Sequence, residues 1–191
     1  TSPHPVNPNA EKIDLTSRPA VQTQTGSRGG ANMYGLPMSK ILSEARRQLR
    51  CQNIVLLASD TNIPVFKVAG PWATGFSRAL ADAGFTLVHQ GSIIRIYNAQ
   101  SLKRRARTGL FFGVNPMTSS AAVSCVVHQD PGAGCVKQLA NQLGLDVTGV
   151  SKLDRSIDLL LVDAPWDEAL DVLFESTGHK AVLDGKRLTI E

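Results

Sequence analysis

Apolar and polar positions alternate over Ile157, Leu159 and Leu161, as they do along a half-buried strand. The period then changes, and Trp166, Ala169, Leu170 and Leu173 recur at helical spacing to make one apolar face. Pro165 suits the first turn of that helix, where its missing N–H would have no partner. Asp167 and Glu168 suit the same end, because the helix dipole favours negative charge there. Gly178 is placed to cap the C-terminus in the left-handed conformation. Farther on, Asp184-Gly185 between Ala181-Val-Leu183 and Leu188-Thr-Ile190 is a hairpin turn signal. The pattern therefore predicts a strand, a helix and a two-stranded hairpin in succession.

The same pattern occurs earlier at an offset of 94, with Gly70-Pro71-Trp72 standing where Ala164-Pro165-Trp166 stands. Without a gap, Ile63, Val65, Trp72, Phe76, Gly84, Gly91, Ile94 and Ile96 fall on Ile157, Leu159, Trp166, Leu170, Gly178, Gly185, Leu188 and Ile190. Upstream, Pro37, Leu42, Ala45 and Leu49 fall on Pro131, Val136, Leu139 and Leu143. This is a tandem duplication, with a period far longer than the roughly 20–50 residues of a solenoid repeat. Trp72 and Trp166, with Pro71 and Pro165 beside them, are expected to be core anchors because the indoles lie on the apolar helix faces.

The chain divides accordingly. Residues 1–31 hold Pro, Asn, Thr, Ser, Gln and Gly with few apolar side chains, and read as a flexible tail. A first small domain is expected over 32–98. It opens with a short strand near Met33-Tyr34 and a helix from Pro37 whose face is Met38, Ile41, Leu42, Ala45 and Leu49. A strand over 53–58 and the Pro71 helix with its hairpin follow. Residues 99–120 read as a basic linker carrying Lys103-Arg104-Arg105-Ala106-Arg107, with Leu110-Phe111-Phe112 packing on a neighbouring domain. A second domain spans 121–191, with strands over 122–127 and 145–150 flanking a helix faced by Val136, Leu139, Ala140 and Leu143. The fold class is α+β: two tandem small domains, each of two strand–helix–strand halves.

Composition adds little: 42% hydrophobic and 19% charged residues are those of an ordinary soluble protein. The net charge of +4 does not by itself select nucleic acid. The basic run could contact an anionic surface, but no aromatics interleave with it as a single-strand-binding groove requires; a solvated connector is the simpler reading. No apolar run reaches the roughly 18 residues of a spanning helix, and no signal peptide is visible. This fits a cytosolic chain or an exported one numbered after cleavage. Nucleotide-binding glycine motifs, a phosphate-loop lysine, the hydrolase serine elbow and the paired-histidine zinc motif are missing. Cys125, His128 and Cys135 are close in sequence, but three candidates at this spacing match no standard zinc site. His4 lies in the tail, and His89 and His179 near the final hairpins read as surface residues. No enzyme, cofactor, metal or small-molecule substrate is expected.

The stretch Ser156-Ile-Asp-Leu-Leu-Leu-Val-Asp-Ala-Pro-Trp-Asp-Glu-Ala-Leu-Asp-Val-Leu-Phe-Glu-Ser-Thr-Gly178, ending in Asp184-Gly-Lys-Arg-Leu-Thr-Ile190, resembles the short N-terminal domain shared by secretins and TonB-dependent transducers. The first repeat is similar but more divergent, with Gly70-Pro71-Trp72, Ala79-Leu80, Gly84-Phe85 and Gly91-Ser-Ile-Ile-Arg-Ile-Tyr97. The resemblance implies two helices sandwiched between two small sheets in each repeat, and a non-catalytic periplasmic domain that docks onto other proteins. It further implies association with the outer membrane, as a homo-oligomeric component of a secretion, type IV secretion or type IV pilus complex whose partners are the other subunits of that machine. With two copies and no channel-forming β region, the sequence reads as an excerpt of a secretin-like chain or as an accessory subunit, with a start that would suit a lipoprotein tail.

A signalling domain that contacts an inner-membrane regulator is the nearest rival. A nucleic-acid-binding module using Lys103, Arg104, Arg105 and Arg107 belongs to a different class. In an oxidising periplasm, Cys125 in a strand and Cys135 near the start of the next helix are expected to form a disulfide, and Cys51 to stay a thiol. Finally, Ala73, Thr74, Ser77 and Arg78 stand where Asp167, Glu168, Asp171 and Val172 stand in the other copy. That contrast predicts an interface between neighbouring subunits in which Arg78 and its neighbours meet Asp167, Glu168 and Asp171, closing different surfaces into a ring.

Overall fold

The structure, a computed structural model, describes residues 30–191. The expected tail lies outside the described residues except for its last two positions. In the first repeat, β1 (Ala31–Pro37) pairs antiparallel with β3 (Asn62–Val68). The hairpin β4 (Phe85–Gln90) and β5 (Ile93–Asn98) is joined by β2 (Ile54–Leu56), parallel to β5. Between these two sheets lie α1 (Met38–Leu49) and α2 (Trp72–Asp82), which touch each other. Their apolar stripes, Met38, Ile41, Leu42 and Ala45 on one and Trp72, Phe76, Ala79 and Leu80 on the other, are buried in one cluster with Phe66, Ile94 and Ile96.

The second repeat has the same plan. β7 (Ala122–Pro131) pairs with β9 (Ser156–Pro165), and β8 (Asp146–Thr148) joins the hairpin β10 (Lys180–Gly185) and β11 (Arg187–Ile190). α4 (Gly132–Leu143) and α5 (Trp166–Thr177) lie between them. α1 and α4 start and end 94 residues apart, and α2 and α5 start 94 apart. Even the left-handed backbone positions repeat: Arg50 matches Gly144, and Gly35 matches Gln129. A non-glycine residue held there costs conformational energy, so it is the shared fold that imposes these angles.

Two expectations need correction. Residues 99–120 are not a solvated connector. Asn98 and Ser101 form a reciprocal cap that starts α3 (Ala99–Arg104), and a 3-10 turn follows over Arg105–Arg107. β6 (Gly109–Pro116) then adds in parallel to β10, where Leu110 is fully buried. Apolar Leu110-Phe111-Phe112 and the free edge of β10 satisfy each other, which covers an edge that would otherwise stay unpaired. Secondly, Pro71 and Pro165 are not core anchors: Pro71 is exposed, Pro165 is half-buried, and both are extended N-cap residues one position before their helices. Their fixed φ directs the tryptophan that follows inward. The two cores are also unequal. One cluster belongs to the first repeat alone. The other joins the second repeat to Val55, Leu57, Val88, Ile93 and Tyr97 of the first.

Cys125 on β7 and Cys135 on α4 form the expected disulfide, and Cys51 is a buried thiol. The bridge closes a loop of sequence separation 10, so replacing both cysteines with serine is expected to cost about 3 kcal/mol through the entropy of the unfolded chain. Urea unfolding of wild type and the double variant measures this. Intact mass after alkylation without reduction should show one accessible thiol on unfolding rather than three.

Candidate functional site

The sheet β2-β5-β4 is buried on both faces. Along β5, Ile94 and Ile96 enter the first repeat's core, while Ile93, Arg95 and Tyr97 point the other way, onto the second repeat. Such a strand reads as a continuous apolar run rather than an alternation. Its counterpart β11 alternates: Arg187 is exposed, Leu188 buried, Thr189 half-buried and Ile190 buried. The helix that covers β5 is α5. It is buried or half-buried along its whole length, with Val172, Leu173 and Phe174 consecutive and fully buried, as expected of a helix enclosed on several sides.

Three acids lie along one stripe of α5 at spacings of three and four: Glu168, Asp171 and Glu175. All three turn toward the first repeat. Glu168 accepts hydrogen bonds from the backbone N–H and hydroxyl of Ser92, at 2.9 and 2.8 Å. Asp171 accepts from Arg95 Nη1 at 2.7 Å and from the N–H of Leu110 at 2.7 Å. Glu175 accepts from Arg95 Nη1 at 3.1 Å and from the Tyr97 hydroxyl at 2.5 Å. The Arg95 side chain is 0% exposed, and those of Asp171 and Glu175 are 7% and 5% exposed. Arg105 closes the edge: its guanidinium lies 5.7 Å from the Tyr97 ring centroid and donates to Gln90 Oε1 at 2.6 Å. Gly109 adopts φ +105° beside Asp171, and a Cβ there would lie 2.4 Å from the Asp171 carboxylate. Only glycine lets β6 bring the Leu110 N–H to that oxygen.

One buried cation thus faces two carboxylates. Burial lowers the basicity of Arg95, but the charges of Asp171 and Glu175 outweigh it and raise its pKa. Burial and the neighbouring Glu175 charge raise Tyr97 as well. Glu175 is pushed up to about 7 by burial, with Arg95 opposing and Asp171 adding to the shift. A glutamate in the unfolded chain titrates near 4.5, so the folded state holds this proton more tightly. The contribution to stability is fully present below about 4.5 and is lost as pH rises to about 7. Between pH 5 and pH 8, wild type should therefore lose stability relative to Glu175→Gln, by roughly 3 kcal/mol at most. Paired urea titrations at the two pH values measure it, and parallel curves for the two proteins would refute the assignment.

The other expected site residues fall as follows. Trp72 and Trp166 are buried as anchors; Trp166 Nε1 donates to Ser119 O at 2.9 Å. Cys125 and Cys135 are spent in the disulfide, and His128 is exposed against Asp158 at 2.8 Å, so the three do not form a zinc site. Lys103, Arg104 and Arg107 are exposed on and after α3, whereas Arg105 is tied to Gln90. Arg78 is exposed on α2 and Asp167 half-buried on α5. The expected pairing of this acidic face with a neighbouring subunit does not hold for Glu168 and Asp171: their partners are Ser92 and Arg95 of the same chain. Sequence reasoning missed Arg95, Tyr97 and Glu175. The signal was present in Ile93-Ile-Arg-Ile-Tyr97, which fails to alternate where Arg187-Leu-Thr-Ile190 does.

Comparison with known protein families, curated proteins and solved structures finds no match. The chemistry of this cluster is structural. Arg95 Nη1, the two carboxylates and the Tyr97 hydroxyl are committed to one another and join the two repeats through a sheet face and a helix, while Arg95 Nε and Nη2 are buried with no hydrogen-bond partner among the described residues.

Proposed function

We propose that the chain is a non-catalytic periplasmic component of an outer-membrane secretion, type IV secretion or type IV pilus complex, working through protein–protein contacts. In this reading it consists of two tandem domains of the secretin/TonB short N-terminal type, over 32–98 and 121–191. The observation that carries the proposal is the contact between repeats: one copy of the unit buries its sheet face against a helix of the next copy. A unit that docks on its own likeness is suited to side-by-side assembly. The pair of helices between two small sheets agrees with what the resemblance implies, and the disulfide suits an oxidising compartment.

The test uses cells that make the full gene product with a C-terminal tag. Fractionation, thiol labelling and cross-linking of intact envelopes are read together. The reading expects tagged protein in the periplasmic or outer-membrane fraction, oxidised at Cys125–Cys135 and cross-linked into multi-subunit species. A reduced, cytosolic monomer would overturn it.

A further inference from the structure

A groove of about 630 Å³ opens between the two repeats. One wall is the outer edge of β2 and the residues after it, Leu56 to Asp60; the other is β9 from Ser156 to Leu160. Both are edge strands: β2 ends the β2-β5-β4 sheet, and β9 has β7 on one side only. The two edges are bridged at one point by Asn53. The Val162 N–H donates to Asn53 Oδ1 at 2.8 Å, and Asn53 Nδ2 donates to Val162 O at 3.0 Å. A side-chain amide thus makes the two bonds that an added strand would make. On an extended strand, groups two residues apart point the same way, so the N–H and C=O of Leu160 face the same side as those of Val162. Opposite Leu160 in register stands Val126, an apolar side chain 74% exposed beside this edge.

The charges around the groove are unequally engaged. Its three carboxylates all have partners: Asp60 accepts from Ser39 N and Oγ at 2.9 and 2.6 Å, Asp158 meets His128 and the Gln129 N–H, and Glu175 holds Arg95 and Tyr97. Arg46 donates to Ile54 O through Nε and Nη2. The exposed side chains of Lys40, Arg104 and Arg155 make no ion pair or hydrogen bond among the described residues, and all three line the groove. Hydrogen bonds from Ser39 and the Gln129 N–H leave Asp60 and Asp158 charged, but the four lining cations Lys40, Arg46, Arg104 and Arg155 outnumber the three carboxylates, so the net charge of the groove is positive.

We propose that this groove binds an extended acidic segment of a partner protein, which adds to the free edge of β9 as a further strand and sets its carboxylates against Lys40, Arg104 and Arg155. Main-chain hydrogen bonds to the edge supply affinity, and alternate side chains supply selectivity: apolar ones over Val126, acidic ones toward the cations. Opposed charges also speed the encounter. Binding is expected whatever assembly the chain serves, so a failure here leaves the proposed function standing.

The experiment is fluorescence anisotropy of the full chain with a dye-labelled octapeptide of alternating valine and glutamate. Comparison probes are the valine–lysine peptide, a backbone N-methylated valine–glutamate peptide and an oligothymidylate. The valine–glutamate peptide should bind below about 1 mM. The lysine peptide, the N-methylated peptide, and the Lys40→Ala, Arg104→Ala, Arg155→Ala triple variant should each weaken binding about tenfold or more. Since those three side chains are exposed, the variant is expected to keep its fold, which near-ultraviolet circular dichroism checks. Amide exchange supplies the second readout: the Leu160 N–H should be protected when peptide is added. No peptide binding, equal binding of the N-methylated form, unchanged exchange at Leu160, or tighter binding of the oligothymidylate would each overturn the proposal.

Discussion

Arg95→Ala should destabilise the protein by about 3–5 kcal/mol, because it strands two buried carboxylates without their cation. Asp171 and Glu175 lie within 2.7 and 3.1 Å of Arg95 Nη1, and neither can turn to water without parting α5 from β5. The cost comes from what is left behind more than from the value of the pair itself. A variant that neutralises the whole cluster, Arg95→Met with Asp171→Asn and Glu175→Gln, should therefore lose less than Arg95→Ala alone. The methionine keeps most of the packing of the buried arginine stem. Urea unfolding followed by tryptophan fluorescence gives both numbers. A loss under about 1 kcal/mol for Arg95→Ala would mean that the carboxylates reach solvent and that the repeats do not enclose this cluster.

Trp166→Ala is expected to cost a comparable 3–5 kcal/mol, the range for truncating a buried aromatic side chain. Trp166 is 4% exposed, meets the Phe112 ring edge to face with centroids 6.4 Å apart, and donates to Ser119 O at 2.9 Å. The substitution opens a cavity under β6 and leaves that carbonyl without its donor. Trp166→Phe keeps an aromatic ring but loses the hydrogen bond and part of the indole volume, and should cost less than Trp166→Ala, at about 2 kcal/mol. Trp72 fills the matching place in the first repeat, against Phe76 at 5.8 Å. Trp72→Ala should be costly too, but without the hydrogen-bond component. Equilibrium unfolding of the three variants tests this order. A Trp166→Ala protein as stable as wild type would return the indole to the surface.

The local order of elements was legible in the sequence, and so was the duplication. Period-two and period-3.6 patterns, the Pro-Trp helix starts and the turn glycines are local signals, and each maps onto its element within a few residues. The disulfide followed from placing one cysteine on a strand and the other on the helix after it. What the sequence alone could not decide is which surfaces those elements turn to each other. Asp171 looks like a solvent-facing acid on a helix, and its burial depends on Arg95, which is 76 residues away in sequence. Residues 99–120 look like a linker because a strand that pairs in parallel with a distant hairpin carries its partner nowhere in its own sequence.

The difference is one of range. Backbone sterics and side-chain periodicity act over a few residues, so the sequence by itself determined two copies of one α+β unit. Pairing of a sheet face with a helix, or of a buried cation with two carboxylates, gains energy only when distant segments leave water together. The tertiary structure alone decided that the first repeat's outer sheet face is interior, that β6 completes the second repeat's sheet, and that a strand edge lined with unpaired cations stays open between them.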